Sequence, residues 1–395
     1  MAGSARAGRD AVTVDERPTI PAARHEQRLA AAASAATDAG FDALLIGVGA
    51  DLRYLTGYAA HESERLTMLV VPRQGDARLV VPRLEQAAAE AGSRVSVAIE
   101  TWGETDDPAA VVARFVGGSP GAPMRIGVSD RLWSQHLLRL QAAIDNATFT
   151  SATTALRRLR MAKDSDEIAL LRLAARAADR VVNQIAAGRL IGRTEADVSR
   201  EVRERLVAEG HDSAEFAIVA SGPNSASPHH DASDRVIRAG EPIVLDIGGT
   251  LAGYGSDITR TLWVTGGDPA RGPDEEYRHL FAVLQTAQET ATRAVRPGIA
   301  CEAVDAAARD VIAAEGYGEA FIHRTGHGIG LEGHEEPYLV SGNDEPLGAG
   351  MAFSIEPGIY LAGRYGARIE DIVVCGPDGA IPLNEANRNL RIVPG

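Results

Sequence analysis

The amino-acid sequence predicts an α/β domain followed by an α+β domain. With 395 residues the chain is longer than a typical domain of about 150 residues, so two or three domains are expected. Over the first 150 residues short apolar runs alternate with helical stretches, which favours an α/β domain with a mixed or parallel sheet. Beyond residue 215 short strands, Gly-rich turns and two long helices indicate an α+β domain.

In the first domain, an Ala-rich helix is predicted over residues 28–40, because Gly40 is a typical helix stop. Residues 55–57 are expected to form a turn. The remaining elements are apolar runs of strand length and one further helix: strands 43–47, 67–72, 77–82, 95–99 and 124–128, and helix 84–91.

The second domain begins after a break near residue 155. Residues 164–179 start with acidic capping residues and carry an apolar stripe, which predicts a long helix. The other predicted elements are helices 195–209, 274–295 and 302–315, and strands 216–220, 243–247, 258–264, 352–355 and 369–374.

Composition excludes several classes of protein. Forty Lys and Arg against 54 Asp and Glu give a formal charge of −14, and aromatic residues make up 5%, so a nucleic-acid partner is not expected. Cys301 and Cys375 are too few for a disulfide framework, which favours a reducing compartment. The GVGAD segment at 47–51 lacks the full GxGxxG pattern, so no nucleotide cofactor is expected.

Neither a targeting signal nor a membrane span is expected. The first 24 residues are polar and rich in small residues, which predicts a disordered tail. No run of about 18 consecutive apolar residues occurs, so a membrane partner is excluded at this stage and the cytoplasm is the expected location.

A first pair of carboxylates lies in residues 243–264. Two apolar strands flank a Gly-rich turn, which is typical of a hairpin. Folding about residues 251–255 brings Asp246 and Asp257 side by side on paired strands. Two adjacent carboxylates repel each other unless a cation or a proton lies between them.

A second pair lies in residues 352–374. Glu356 ends an apolar strand and Glu370 stands inside the apolar run RIEDIVV, where its burial is unfavourable unless the carboxylate is paired. Asp371 must face the opposite side of that strand. A buried salt bridge between Glu370 and Arg368 is the simpler alternative explanation.

Between the two pairs, residues 323–337 read HRTGHGIGLEGHEEP. Three glycines surround His327, which is typical of a ligand loop, and His334 follows seven residues later. The HExxH pattern of mononuclear zinc peptidases is absent. Oxygen ligands with one imidazole suit two ions of Mn²⁺, Co²⁺ or Zn²⁺, and such a centre predicts hydrolysis.

Five sequence blocks carry a resemblance to a known family. They are SGPNSASPHH (221–230), LDIGGTLAGYGSDITRT (245–261), HRTGHGIGLEGHEEP (323–337), SIEPGIY (354–360) and ARIEDIV (367–373). In order and spacing they resemble the pita-bread-fold metallopeptidases, the M24 family of methionine aminopeptidase, prolidase and Xaa-Pro aminopeptidase. The resemblance implies two divalent metal ions, preferably Mn²⁺, held by five ligands: Asp246, Asp257, His327, Glu356 and Glu370.

The resemblance also implies residues around the metals. His229 stands at a substrate-binding position, although His230 beside it leaves an ambiguity of one residue. His334 would contact the scissile peptide and help to move protons, and Glu356 would also accept a proton. Arg368 and Tyr360 match catalytic or substrate-binding positions of the proline-specific branch, with a core position as the alternative for Tyr360.

Segments in and just after the N-terminal half indicate which branch of this family the chain resembles. DLRYLTGY (51–58) and MAKDSDEIALL (161–171) resemble segments of prolidases, Xaa-Pro aminopeptidases and creatinases. The resemblance implies an α/β creatinase-type N-terminal domain over residues 25–155 and an α+β pita-bread catalytic domain over residues 156–395. It also implies a homodimer.

The expected function is that of a Xaa-Pro aminopeptidase that cleaves proline-containing peptides. An Xaa-Pro dipeptidase, or prolidase, is the alternative within the class. More remote alternatives are a hydrolase of non-peptide amides or osmolytes and a non-catalytic binding scaffold. Creatinases and the binding scaffolds lack metal ligands that this sequence retains.

Overall fold

A computed structural model describes residues 17–118 and 122–395. They fall into two compact units, Ile20–Arg160 and Met161–Gly395, and residues 17–19 cluster with the second unit. The predicted tail lies mainly outside the described residues, but its last three residues are helical because the first helix begins at Ala22. None of the helices in the described ranges is both long and apolar enough to cross a bilayer.

In its described residues the first unit contains one mixed sheet surrounded by helices. The strands are β1 (Ala43–Gly47), β2 (Met68–Pro72), β3 (Arg78–Pro82), β4 (Ala98–Trp102), β5 (Met124–Val128) and β6 (Ala147–Ser151). The helices are α1 (Ala22–Asp38), α2 (Ala50–Thr56), α3 (Gln86–Gly92), α4 (Pro108–Ala113), α5 (Ser134–Ala143) and α6 (Thr153–Met161).

The strands of this sheet are ordered β4-β3-β2-β1-β5-β6. β1 pairs antiparallel with β2 and parallel with β5, so the sheet is mixed, in agreement with the predicted α/β class. β1 and β2 are continuous apolar runs and are fully buried, as expected for strands covered on both faces.

Several predicted elements of this unit are wrong. Residues 50–56 form helix α2, which ends at Gly57 in the left-handed conformation (φ +77°), where a turn is predicted for 55–57. A seven-residue helix is too short to show its period, and a capping glycine resembles a turn glycine in sequence. The strand predicted at 95–99 lies three residues later, and α4, α5 and β6 are not predicted at all.

In its described residues the second unit contains sheets that are antiparallel except for the parallel pair β17 and β9, together with four long helices. The strands are β7 (Ser213–Ser221), β8 (Glu241–Leu251), β9 (Tyr254–Val264), β10 (Gly326–Gly328), β11 (Glu335–Leu339), β12 (Ala352–Ile355), β13 (Gly358–Leu361), β14 (Tyr365–Arg368), β15 (Asp371–Cys375), β16 (Ala380–Pro382) and β17 (Arg391–Val393). The helices are α7 (Ser165–Ala187), α8 (Glu195–Ala208), α9 (Glu275–Ala294) and α10 (Cys301–Ala314).

Two sheets and one hairpin position the functional residues. The sheets have the orders β17-β9-β8-β7 and β11-β10-β12-β15-β16, and β13 pairs with β14. α7 and α8 pack against the first sheet, whereas α9 and α10 pack together and contact the second sheet and the hairpin. The unit therefore has the predicted α+β class.

The start of α7 shows how the sequence determines an element. The Asp164 side chain accepts hydrogen bonds from the backbone N–H groups of Asp166 (2.9 Å) and Glu167 (3.0 Å). The Glu167 carboxylate in turn accepts one from the backbone of Asp164 (3.1 Å), which completes a capping box. The acidic start that predicts this helix is thus its cap.

Candidate metal centre

The β8–β9 hairpin brings the first two carboxylates together. It turns at Ala252 and Gly253, which both have positive φ (50° and 85°), as a two-residue hairpin turn of type I′ requires. Asp246 lies opposite Thr259 and Asp257 lies opposite Gly248, so the two carboxylates are diagonal neighbours on one face. Both residues are buried, as the sequence predicts for a paired site.

The second pair of carboxylates is held by β12 and β15. Ile355 in β12 pairs with Asp371 in β15, so Glu356 and Glu370 occupy the next pair of facing positions along these two antiparallel segments. The predicted strand 369–374 is wrong at its start, because β14 ends at Arg368 and β15 begins at Asp371. The Glu370 N–H instead donates to the Thr259 carbonyl in β9 (3.1 Å), which ties the two pairs of strands together.

Neighbouring acidic residues face opposite environments, as strand alternation predicts. Asp371 accepts hydrogen bonds from Arg260 (2.6 Å), Gln288 (3.3 Å) and Arg388. One oxygen of Glu370 accepts from the Thr259 hydroxyl (2.7 Å). Arg368 hydrogen-bonds to Asp246 and not to Glu370, so the simpler explanation of Glu370 as its salt-bridge partner does not hold.

His327 lies between the carboxylates. Its Nδ1 donates to the Gly328 carbonyl (3.0 Å), which leaves the Nε2 lone pair directed at the cluster. Nε2 lies 3.2 Å from Glu356 Oε1 and 3.7 Å from Asp257 Oδ2. Gly326 permits this position, because a Cβ there would lie 1.9 Å from the Ser354 carbonyl oxygen.

These side chains form three overlapping groups of possible ligands. In each group the ligand atoms lie within 4.8 Å of one another: Asp246, Asp257 and Glu370; His327, Glu356 and Glu370; and Asp257, His327 and His334. The last group contains His334, whose ring centroid lies 3.9 Å from that of His327.

The electrostatics of the cluster favour bound cations. Burial, together with the neighbouring carboxylates, raises the pKa of Asp257 and of Glu370 well above the ordinary values, and burial raises the pKa of Glu356 to about 7. Asp246 Oδ1, Asp257 Oδ1 and Glu370 Oε1 are buried without a hydrogen-bond partner among the described residues. Oxygens in this state fit divalent cations, and the oxygen-rich donor set suits Mn²⁺, Co²⁺ or Zn²⁺.

A hydrogen-bond network of Arg368, Thr259, Tyr360 and His323, called below the network behind Asp246, holds the Asp246 carboxylate. Arg368 donates to Asp246, to the Thr259 hydroxyl (3.1 Å) and to the Tyr360 hydroxyl (2.7 Å). Tyr360 donates to His323 Nε2 (2.9 Å), and His323 Nδ1 donates to the Arg324 carbonyl (2.8 Å). Burial and the nearby Arg368 lower the pKa of His323 to about 4, so it is neutral and can accept from Tyr360.

The structure distinguishes His229 from His230. His230 Nε2 donates to Glu195 (2.8 Å). The side chain of His229 is exposed, and it lies close enough to contribute to the lowered pKa values of both His323 and His334. The pKa of His334 is lowered by burial, then by Arg324 and by His229. Of the two adjacent histidines, His230 is thus engaged with Glu195, and the substrate-binding role of His229 stays a prediction.

Some residues around the cluster are missed by sequence reasoning. Arg324 packs its guanidinium over the Tyr338 ring at 4.4 Å, and its charge acts on His327, His334 and Glu356. His323 completes the Tyr360 network. Both lie inside the HRTGHGIG block, so their proximity to His327 in sequence was an available signal.

Comparison with known proteins identifies the family. Residues 169–377 match the model of metallopeptidase family M24, and residues 28–162 match the creatinase/prolidase N-terminal domain. The chain belongs to metallopeptidase family M24. It therefore has a creatinase-type N-terminal domain and a pita-bread catalytic domain, as the sequence blocks predict, and it is a hydrolase of peptide bonds.

Individual relatives of this M24 chain match over almost its whole length. The probable dipeptidase PepE of Mycobacterium tuberculosis is 48% identical over 373 residues, which cover 94% of this chain and 97% of the relative. The Xaa-Pro dipeptidase of Lactobacillus helveticus is 34% identical and covers 90% and 96%. The crystal structure of dipeptidase PepE from Mycobacterium ulcerans matches with a TM-score of 0.88, 47% identity and coverage of 95% and 99%.

Proposed function

We propose that this M24 chain is a dinuclear-metal Xaa-Pro dipeptidase, which hydrolyses the bond before proline in a two-residue peptide. The observation that carries the proposal is the convergence of three buried carboxylates, one partly buried carboxylate and one imidazole, with three oxygens left unpaired in the described residues. The names of the similar proteins favour the dipeptidase alternative over the aminopeptidase function expected from sequence.

The proposed metal ligands are Asp246, Asp257, His327, Glu356 and Glu370. Two divalent ions, with Mn²⁺ as the proposed native metal, would supply Lewis acidity toward a water molecule and a substrate carbonyl. The chain itself must then hold the substrate and move protons.

Glu356 is proposed as the proton acceptor. Its side chain is 15% exposed, against 3% for His327 and 6% for Asp257, so it is the member of these three that substrate can reach most easily. The Ser354 hydroxyl donates to its Oε1 (3.0 Å), which orients the carboxylate. A positioned carboxylate in this place can take a proton from the attacking water and return it to the leaving amine.

His334 and His229 are proposed to act on the substrate. The lowered pKa of His334 keeps the ring neutral near pH 7, so one ring N–H is available to donate to the oxyanion that develops during hydrolysis. His229 is exposed beside the same groups and is proposed to orient the peptide.

Arg368 and Tyr360 are proposed to act mainly through Asp246. Both are almost fully buried, and their hydrogen-bonding groups are engaged with Asp246, Thr259 and His323. They would hold the Asp246 carboxylate at the fixed angle that a metal ligand requires.

The test is a comparison of peptide lengths. Metal-free protein is supplied with Mn²⁺, Co²⁺ or Zn²⁺ and assayed on Ala-Pro, Ala-Pro-Gly and Ala-Pro-Gly-Gly, with Ala-Ala as the control that lacks proline. We expect hydrolysis of Ala-Pro alone, since proline lacks the N–H and has a fixed φ that a dedicated pocket can select. Cleavage of the longer peptides would instead support an aminopeptidase, and cleavage of none would redirect the search to non-peptide amides.

A further inference from the structure

A loop between β7 and β8 carries His229. Residues 221–235, named here the His229 loop, contact Arg368 of the network behind Asp246 and also strand β14. The Pro228 carbonyl accepts a hydrogen bond from Arg368 (3.2 Å), and the Ser225 hydroxyl accepts one from the Gly366 N–H (2.9 Å). The position of this loop therefore determines where His229 stands relative to His334.

One buried carboxylate joins the two ends of the His229 loop. Glu195, in the first turn of α8, is fully buried. At the first end, its Oε1 accepts from the N–H (2.8 Å) and the hydroxyl (2.7 Å) of Ser221, and Asn224 donates to both of its oxygens (3.0 and 3.1 Å). At the second end, its Oε2 accepts from His230 (2.8 Å) and from the N–H (3.2 Å) and hydroxyl (2.7 Å) of Ser233.

Further contacts reinforce this junction. The backbone N–H groups of Glu195 and Ala196 donate to the carbonyls of Arg235 and Ser233 (both 3.0 Å). Arg235 forms a two-point ion pair with Glu241 (2.7 and 2.6 Å) and donates to the Ser221 hydroxyl (2.6 Å).

The charge state of Glu195 agrees with this structural role. Burial alone would raise its pKa, but the hydrogen bonds from Ser233, Ser221 and His230 outweigh burial and lower the pKa to about 2. The carboxylate is therefore ionised at every pH at which the enzyme is expected to work, and both of its oxygens are engaged.

We propose that Glu195 is a positioning residue for hydrolysis: its carboxylate joins both ends of the His229 loop and thereby fixes His229 beside His334 and the metal ligands. The proposal rests on the proposed hydrolytic function, because His229 is assigned to the substrate there. It predicts that Glu195 acts on turnover through His229 and not through the metal ligands.

The variant Glu195→Gln tests this because an amide cannot replace the carboxylate. A backbone N–H points at each oxygen, from Ser221 at one and from Ser233 at the other. Whichever way the Gln side chain is turned, its NH₂ group faces one of these donors, so one end of the loop is released. Glu204→Gln is the matched control, because Glu204 lies exposed on the same helix.

The experiment is a double-mutant cycle on the Mn²⁺-loaded enzyme with Ala-Pro as substrate. We expect E195Q to lower kcat/KM roughly 10- to 100-fold, as displacement of a substrate-orienting group does, with bound Mn²⁺ per chain unchanged. We expect H229A to lower kcat/KM by a similar factor, and the double variant to be within about twofold of H229A, because both changes remove the same interaction. Hydrogen exchange of the amides in the His229 loop should be faster in E195Q than in wild type or E204Q.

Other outcomes overturn the proposal. Losses that multiply in the double variant, or loss of Mn²⁺ from E195Q, would show that Glu195 acts elsewhere. If E195Q does not fold, Ser233→Ala removes one side-chain donor to Glu195 and must show the same non-additivity with H229A, with a smaller loss. A wild-type enzyme inactive on Ala-Pro contradicts the proposed function, whereas an active wild type with a fully active E195Q contradicts the positioning role alone.

Discussion

Two sets of buried carboxylates in the catalytic unit differ in what surrounds them. Burial, together with the neighbouring carboxylates, raises the pKa values of Asp257 and Glu370, and each leaves one oxygen unpaired in the described part of the chain. Glu195 is equally buried, yet its pKa is lowered to about 2 and hydrogen-bond donors reach both of its oxygens.

The difference shows that burial of an acidic residue does not by itself reveal its role. A carboxylate whose oxygens all have donors is a structural junction, and Asp371, with Arg260, Gln288 and Arg388 around it, is a second example. A carboxylate with an unpaired buried oxygen needs a cation or a proton. Glu370 and Asp371 are adjacent in sequence and fall into different classes.

The largest expected effect is the loss of catalysis when one of the carboxylates with an unpaired buried oxygen is replaced. Asp257→Asn removes a charge and one proposed ligand, so we expect kcat/KM on Ala-Pro to fall at least about 1,000-fold with loss of bound metal. Steady-state kinetics and elemental analysis measure the two effects. An active variant with unchanged metal content would contradict the assignment of Asp257.

The same variant should change stability in opposite directions with and without metal. In metal-free protein, Asp257→Asn removes repulsion between buried carboxylates, so the free energy of unfolding should rise by about 1 kcal/mol or more. In Mn²⁺-loaded protein it should fall, because a ligand is lost. Denaturant unfolding with and without chelator measures both values, and an effect of the same sign in both conditions would contradict the role of repulsion.

A smaller effect on activity and stability is expected when the hydrogen-bond network that holds Asp246 is changed. Tyr360→Phe removes the hydroxyl that links His323 to Arg368 and leaves the buried Arg368 and the half-buried His323 without this partner. We expect the free energy of unfolding to fall by about 1–3 kcal/mol and kcat to fall roughly tenfold. Tyr365→Phe is the control, because its hydroxyl contacts the exposed side chain of Arg364. Equal kinetic losses in both variants would argue against the network.

The smallest expected effect is in the pH dependence of stability. A depressed pKa means that Glu195 contributes stability fully above its unfolded value of 4.5 and loses it as pH falls toward about 2. The difference in Tm between wild type and E195Q, both metal-free, should therefore be constant above about pH 5 and shrink below it. A difference that grows as pH falls would contradict the ionised junction.

The sequence predicts best what is close along the chain. Asp246 and Asp257 belong to one hairpin, and Glu356 and Glu370 flank another, so turn signals and strand alternation suffice to bring each pair together. The break between β14 and β15 is not predicted, because it depends on the hydrogen bond from Glu370 to Thr259 in another sheet.

Contacts between distant segments could not be predicted. Arg368 and Asp246 are 122 residues apart, and Glu195 is 35 residues from His230. The hydrophobic periodicity of a single sequence is a local signal and does not indicate which distant residues pair. From sequence alone, Glu195 is therefore indistinguishable from any other acidic residue in the first turn of a helix. The same limit explains why the alternative explanation of Glu370 pairs it with its neighbour Arg368, whose partner in the structure is Asp246.

The most direct test of the central claim is a titration of metal-free protein with Mn²⁺ in which bound metal and Ala-Pro hydrolysis are measured on the same samples. The account predicts two ions per chain in wild type, activity that rises with their binding, and neither effect in Asp257→Asn. Hydrolysis by the metal-free protein, or the same metal binding in Asp257→Asn as in wild type, would contradict it.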